Sequence, residues 1–149
     1  MNETTKDLSS TAPSAPVPAA TALNRDEAAV RAVIDRMMTA FAAGDVPGIM
    51  ATYRPDAVVV GNPGVPVVGS ASLAEMFEGF VAAGFPFTTG AHEVIMTDAT
   101  ALHLMDWRGA GPDGVPFRAL SAAVLTRDES GDWRMVIDHP FADGVMHRP

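Results

Sequence analysis

From Phe87 to Phe141 the sequence is written almost entirely in β-segments. Apolar and β-branched residues gather near Phe87–Met96, Ala101–Arg108, Val115–Thr126 and Trp133–Phe141. Turn chemistry separates them, at Asp98, at Gly111-Pro112-Asp113-Gly114 and from Asp128 to Gly131. Two of the three connections are short enough for antiparallel hairpins.

The preceding residues supply helices. Val30, Val33, Ile34, Met37, Met38 and Phe41 recur at spacings of three and four, which is one apolar helical face. Asn24 and Glu27 form a capping box at its start, and Gly44 stops it. Asp45 caps a short second helix with Pro47 in its first turn, Tyr53 facing inward and Pro55 ending it. Ala57–Val60 and Val65–Val68 read as short strands about the Asn62-Pro63-Gly64 turn. Ser72 and Glu75 cap a third helix carrying Leu73, Met76, Phe77, Phe80 and Val81, closed by Gly84. Helices grouped ahead of a meander specify an α+β domain rather than a parallel α/β sheet. Residues 1–23 are rich in Ser, Thr, Ala and Pro. They hold too little bulky apolar surface to offset the entropy of ordering and read as a mobile tail. The domain spans 24–142, and 143–149 is a short C-terminal tail.

Composition excludes several function classes. A formal net charge of −8 repels a phosphate backbone and an anionic membrane surface, so neither nucleic acid nor membrane is an expected partner. Without cysteine there is no disulfide, thiolate zinc site or thiol nucleophile. The four histidines lack metal-ligand spacing, and neither a phosphate loop nor a dinucleotide fingerprint is present. No metal and no cofactor are expected. No apolar run approaches the ~20 residues of a membrane span, and the first 23 residues hold no continuous apolar core of a secretion signal. Cytoplasm is the expected compartment.

Certain residues at fixed places carry a resemblance. They are Ala43-Gly44-Asp45 closing the first helix, Tyr53-Arg54-Pro55-Asp56-Ala57-Val58, Gly69-Ser70 before the third helix, and the terminal strand Trp133-Arg134-Met135-Val136-Ile137-Asp138-His139-Pro140. In this order they resemble the SnoaL-like (DUF4440-type) group of the NTF2-like superfamily, over roughly 24–142. The resemblance implies a strongly curved antiparallel sheet packed on N-terminal helices, with a cone-shaped internal pocket. It also implies a homodimer joined through the outer sheet face. Members include isomerases, polyketide cyclases, epoxide hydrolases, dehydratases and non-catalytic modules, so function must be argued from the pocket.

Strand alternation sorts the last strand into two faces. The resemblance turns Arg134, Val136, Asp138 and Pro140 toward the pocket. It leaves Trp133, Met135, Ile137, His139 and Phe141 for a second subunit. Asp138 sits inside an apolar run, where an unpaired carboxylate is costly. Facing an apolar pocket it would titrate high and suit acid or base work. It could equally be a structural partner of a backbone amide or of Arg118. His103 is the candidate second acid or base; it shares a strand face with Met105 and Trp107, which the resemblance turns toward the pocket. Asn62 would orient a ligand or cap its own turn, and Met37, Phe41, Phe77, Arg118 and Val136 complete the expected ligand contacts. Nine methionines suit a deformable apolar pocket or an irregular core equally.

The steroid-isomerase branch of the family places a carboxylate base, a Tyr and a late Asp where this chain has Asn62, Met37 and a residue near Ala122. Those side chains cannot carry that proton transfer. The epoxide-hydrolase pattern finds Asp138, but Asp106 points away. The expected function is a pocket protein performing cyclase-, isomerase- or hydrolase-type acid/base chemistry on an apolar small molecule. The alternative is a non-catalytic ligand-binding or dimeric interaction module.

Overall fold

The computed structural model describes residues 18–147, with side chains from Asn24. The predicted tail lies outside the described residues as far as Val17. Its last part does not stay irregular: α1 runs Pro18–Ala42 and passes straight through Asn24, which is therefore not its cap. Gly44 ends it in the left-handed conformation at φ +69°, as the sequence predicts. The helix α2 (Val46–Met50) starts at Asp45, whose carboxylate accepts from the Gly48 amide at 3.0 Å. The third helix, α3 (Ser70–Ala83), begins two residues before Ser72. Gly69 is its N-cap at φ +93°, with no side-chain cap hydrogen bond.

Six strands follow the order β2-β1-β6-β5-β4-β3 in one curved, unclosed sheet. They are β1 (Tyr53–Asn62), β2 (Val65–Val68), β3 (Phe87–Met96), β4 (Thr100–Ala110), β5 (Pro116–Arg127) and β6 (Trp133–His139). The meander β3-β4-β5-β6 is antiparallel throughout, while β1 joins β6 in parallel. Tyr53 therefore opens a strand rather than closing α2. Its pairing with Met135 is followed by a register slip through Arg54-Pro55-Asp56 before Val58 meets Ile137. Pro55 has no amide to give the ladder, which is consistent with the slip.

The core lies between the sheet's inner face and the helices. Val30 and Ile34 of α1, Ile49 of α2, Leu73 of α3, Leu125 of β5 and Met135 of β6 are all buried there. The outer face carries an apolar row across all six strands. Val68 pairs Val58, Val58 pairs Ile137, Ile137 pairs Val124, Val124 pairs Leu102 and Leu102 pairs Ile95. Ile137 is 47% exposed and Ile95 53%.

A β-bulge in β6 corrects the expected faces of that strand. Val124 pairs Ile137, but the next residue, Leu125, pairs Met135, so Val136 is the extra residue. Alternation slips by one there. Trp133 and Met135 point into the core on one side of the bulge, and Asp138 points inward on the other. Trp133 and Met135 are thus not part of an intersubunit face, and Phe141 turns toward the internal cavity. Ile137 and His139 remain outside. The expected C-terminal tail is ordered in part, as a 3₁₀ helix over Ala142–His147. Its Asp143 accepts the Leu120 amide at 3.0 Å, beyond the point where β6 has ended.

Candidate active site: a carboxyl at the wall of an aromatic cavity

An internal cavity of about 470 Å³ lies between α1, α3 and the sheet's concave face. All seven phenylalanines, the single tyrosine and one of the two tryptophans line it. Helical spacing brings Met37, Met38 and Phe41 from α1, and Phe77 and Phe80 from α3. Strand alternation brings Val59 and Gly61 from β1, Met105, Trp107 and Gly109 from β4, and Phe117 and Ser121 from β5. Gly61 and Gly109 leave room where a Cβ would lie 2.9 Å from the Phe80 ring and 2.8 Å from the Phe117 ring. Trp107, Phe117 and Phe141 contact one another at ring-centroid distances of 5.2–5.8 Å. The Trp107 indole N–H donates to the Pro140 carbonyl at 2.7 Å, fastening the chain just beyond Asp138.

One carboxyl enters this apolar space. Asp138 is 4% exposed, and its Oδ2 accepts from the Tyr53 hydroxyl at 2.6 Å. The parallel β1–β6 pairing creates this contact by setting Val59 opposite Asp138 with Tyr53 on the same inner face. Burial raises the Asp138 pKa to about 6 and the Tyr53 hydrogen bond lowers it, so burial wins. The Tyr53 hydroxyl is pushed well above its ordinary range by burial and then by the carboxylate it faces. Near neutral pH the pair is therefore a carboxylate poised close to its midpoint, bonded to a neutral phenol. Such a carboxyl can take up or give back a proton with little driving force in either direction.

Sequence comparison places the chain. The model of the SnoaL-like domain matches residues 34–136. The chain belongs to the SnoaL-like domain family. Solved structures share its NTF2-like fold. An NTF2-like protein of unknown function from Pseudomonas putida has a TM-score of 0.69 at 21% identity, over 78% of this chain and 85% of that one. An NTF2-like protein with a cystatin-like fold from Novosphingobium aromaticivorans has a TM-score of 0.64 at 22% identity, over 81% and 84%. A ketosteroid isomerase-like protein from Erwinia carotovora atroseptica has a TM-score of 0.59 at 22% identity, over 75% and 92%. No curated protein matches the sequence.

Within this SnoaL-like domain, Asn62, Met37, Phe41, Phe77, Met105, Trp107 and Asp138 all line the one cavity. Three expected contacts lie elsewhere. Val136 is the bulge residue and does not line the cavity. Arg118 faces outward and holds Asp106 in a two-point ion pair at 2.7 and 3.1 Å, so it is not the partner of Asp138. His103 is on the inner face but farther along β4 than the cavity reaches. It is 1% exposed, and its Nε2 shares a hydrogen bond with His92 Nδ1 at 2.9 Å. Burial, then the fields of His92 and Arg31, lower its pKa to about 4, against the opposing field of Asp35. It is a buried, neutral histidine paired with His92 and is not among the residues that line the cavity. Near Ala122 on β5 the cavity-facing residue is its neighbour Ser121. Tyr53 and Ser121 are the polar cavity residues that the sequence reading leaves out.

Proposed function

We propose that the cavity admits a flat, apolar small molecule and that Asp138 exchanges a proton with it, Tyr53 setting the carboxyl's orientation and affinity for the proton. The observation that carries this reading is a buried carboxyl with a pKa near 6 facing a largely apolar cavity rich in aromatic rings. A base of that strength can draw a proton from carbon next to a carbonyl, and the conjugate acid can return it elsewhere on the same skeleton. Net proton transfer is then zero, and isomerisation needs no other reagent. Asn62 and Ser121 supply hydrogen bonds for a ligand oxygen. The name of the Erwinia neighbour points the same way.

A panel of apolar cyclic ketones incubated with the protein in D2O tests it. Wild type incorporates deuterium next to the carbonyl, with a rate rising through about pH 6 as Asp138 ionises. Asp138→Asn, folded as judged by circular dichroism, does not. Exchange that survives the substitution overturns the assignment. Binding without exchange favours the second reading, a non-catalytic carrier. That reading has support in the cavity's lining, which among the described residues includes no second carboxylate and no histidine. We also infer that two copies of the chain associate through the outer apolar row centred on Ile137, because so continuous a row is unusual on a sheet left in water.

A further inference from the structure

A second concave space of about 440 Å³ lies on the other side of Tyr53 from the aromatic cavity. It has a different character. Met50, Ala51 and Pro55 give it apolar walls, while Arg54 and Arg134 are its two basic lining residues and, among the described residues, no carboxylate lines it. In a chain with 18 acidic and 10 basic residues, two cations around one hollow with no lining acid is a departure from the average surface. The register brings the two close. Arg134 pairs with Thr126 across β6 and β5, and the Arg54 guanidinium reaches the Thr126 hydroxyl at 3.2 Å, so both arginines are neighbours of one residue of the sheet.

Neither guanidinium is saturated. Arg54 has one long contact to Asp56, at 3.4 Å, and that carboxylate is 73% exposed. Among the described residues Arg134 has no carboxylate within ion-pair distance, although it helps hold the Asp128 carboxyl below its usual range. Each guanidinium offers five N–H donors, far more than these contacts use. The Ser70 hydroxyl also lines the hollow, held only by a 3.4 Å bond to the Pro55 carbonyl. The first turn of α3, uncapped by any side chain, adds a smaller attraction of the same sign.

We infer that this groove binds a small molecule with an anionic headgroup, phosphate or carboxylate, on a short apolar stem. The headgroup bridges Arg54 and Arg134 and takes the Ser70 hydroxyl, and the stem lies against Met50 and Pro55. This site is independent of the proton-transfer reading of Asp138.

The test is a 1H–15N NMR titration of the full chain with phenyl phosphate, benzoate and the neutral analogue benzyl alcohol. Saturable shifts confined to Ser70–Ala74, Arg54 and Arg134, with either anion and not with the alcohol, are expected. Preference for phenyl phosphate over benzoate, or the reverse, names the headgroup. Arg54→Gln with Arg134→Gln, both at exposed or half-exposed positions, weakens binding by about tenfold or more and leaves the remaining spectrum unchanged. No saturable shift at these residues, shifts equal for the alcohol, or binding unaffected by the double substitution each overturn the site.

Discussion

Asp138→Asn gives the clearest energetic signature, because it removes a buried charge while keeping shape. The folded-state pKa is about 6 against an ordinary 3.8, a rise of roughly two units. At ~1.4 kcal/mol per unit this is about 3 kcal/mol. The sign follows from proton counting. Between the two pKa values the folded state holds a proton that the unfolded state has released. The favourable contribution is thus complete below about pH 3.8 and is lost as pH rises through about 6. Roughly 1.4 kcal/mol of the total falls between about pH 5 and about pH 8, where the protein stays above its isoelectric region. Asparagine is neutral throughout, and its side-chain carbonyl can still accept from Tyr53. Urea unfolding of both proteins at a fixed chain concentration measures the effect. The variant's stability relative to wild type should increase by roughly 1.4 kcal/mol across that interval. All other titrating groups cancel in the difference. A difference independent of pH would refute the reasoning, since it would mean that the carboxyl is hydrated in the folded state.

Three further outcomes follow from the same contacts. Tyr53→Phe deletes the hydrogen bond that lowers the Asp138 pKa, so the carboxyl should titrate above wild type by NMR; a downward movement would contradict the burial argument. His92→Leu strands His103 Nε2 in the core beside a ring nitrogen, Nδ1, that already has no partner, and should cost about 1–3 kcal/mol by urea unfolding. Replacing both histidines with leucine should cost less than the two single substitutions added together. Ile137→Asp places a charge in the middle of the outer apolar row; if the proposed pairing through that row holds, sedimentation should show dimers for wild type and monomers for the variant.

Much of the fold is legible in the sequence because its signals are local. Periods of three and four set α1 and α3, Gly44 and Gly84 end them in the left-handed conformation, and the span of β3 is as predicted. What is not legible depends on distant register. Tyr53 stands before an Arg-Pro that reads equally as a helix stop, and only its pairing with Met135 makes it a strand residue bonded to Asp138. The inward turn of Asp138 is readable from the charge inside an apolar run. The bulge at Val136, which puts Trp133 and Met135 on the same side as Asp138, has no Gly or Pro to announce it. For His103 alternation gives the right face, but depth along the strand decides whether a side chain meets the cavity or the core. Arg118 shows the same limit, since its partner Asp106 lies diagonally across the β4–β5 ladder on the outer side, one same-face step from the directly opposed Arg108.

The most direct test of the central claim is a 13C NMR titration of the Asp138 side-chain carboxyl in the full chain, assigned by its loss in Asp138→Asn. A midpoint near 6 is expected. A midpoint near the ordinary aspartate value of 3.8 would mean a solvated carboxyl, and would contradict both the apolar setting of the site and the proton transfer built on it.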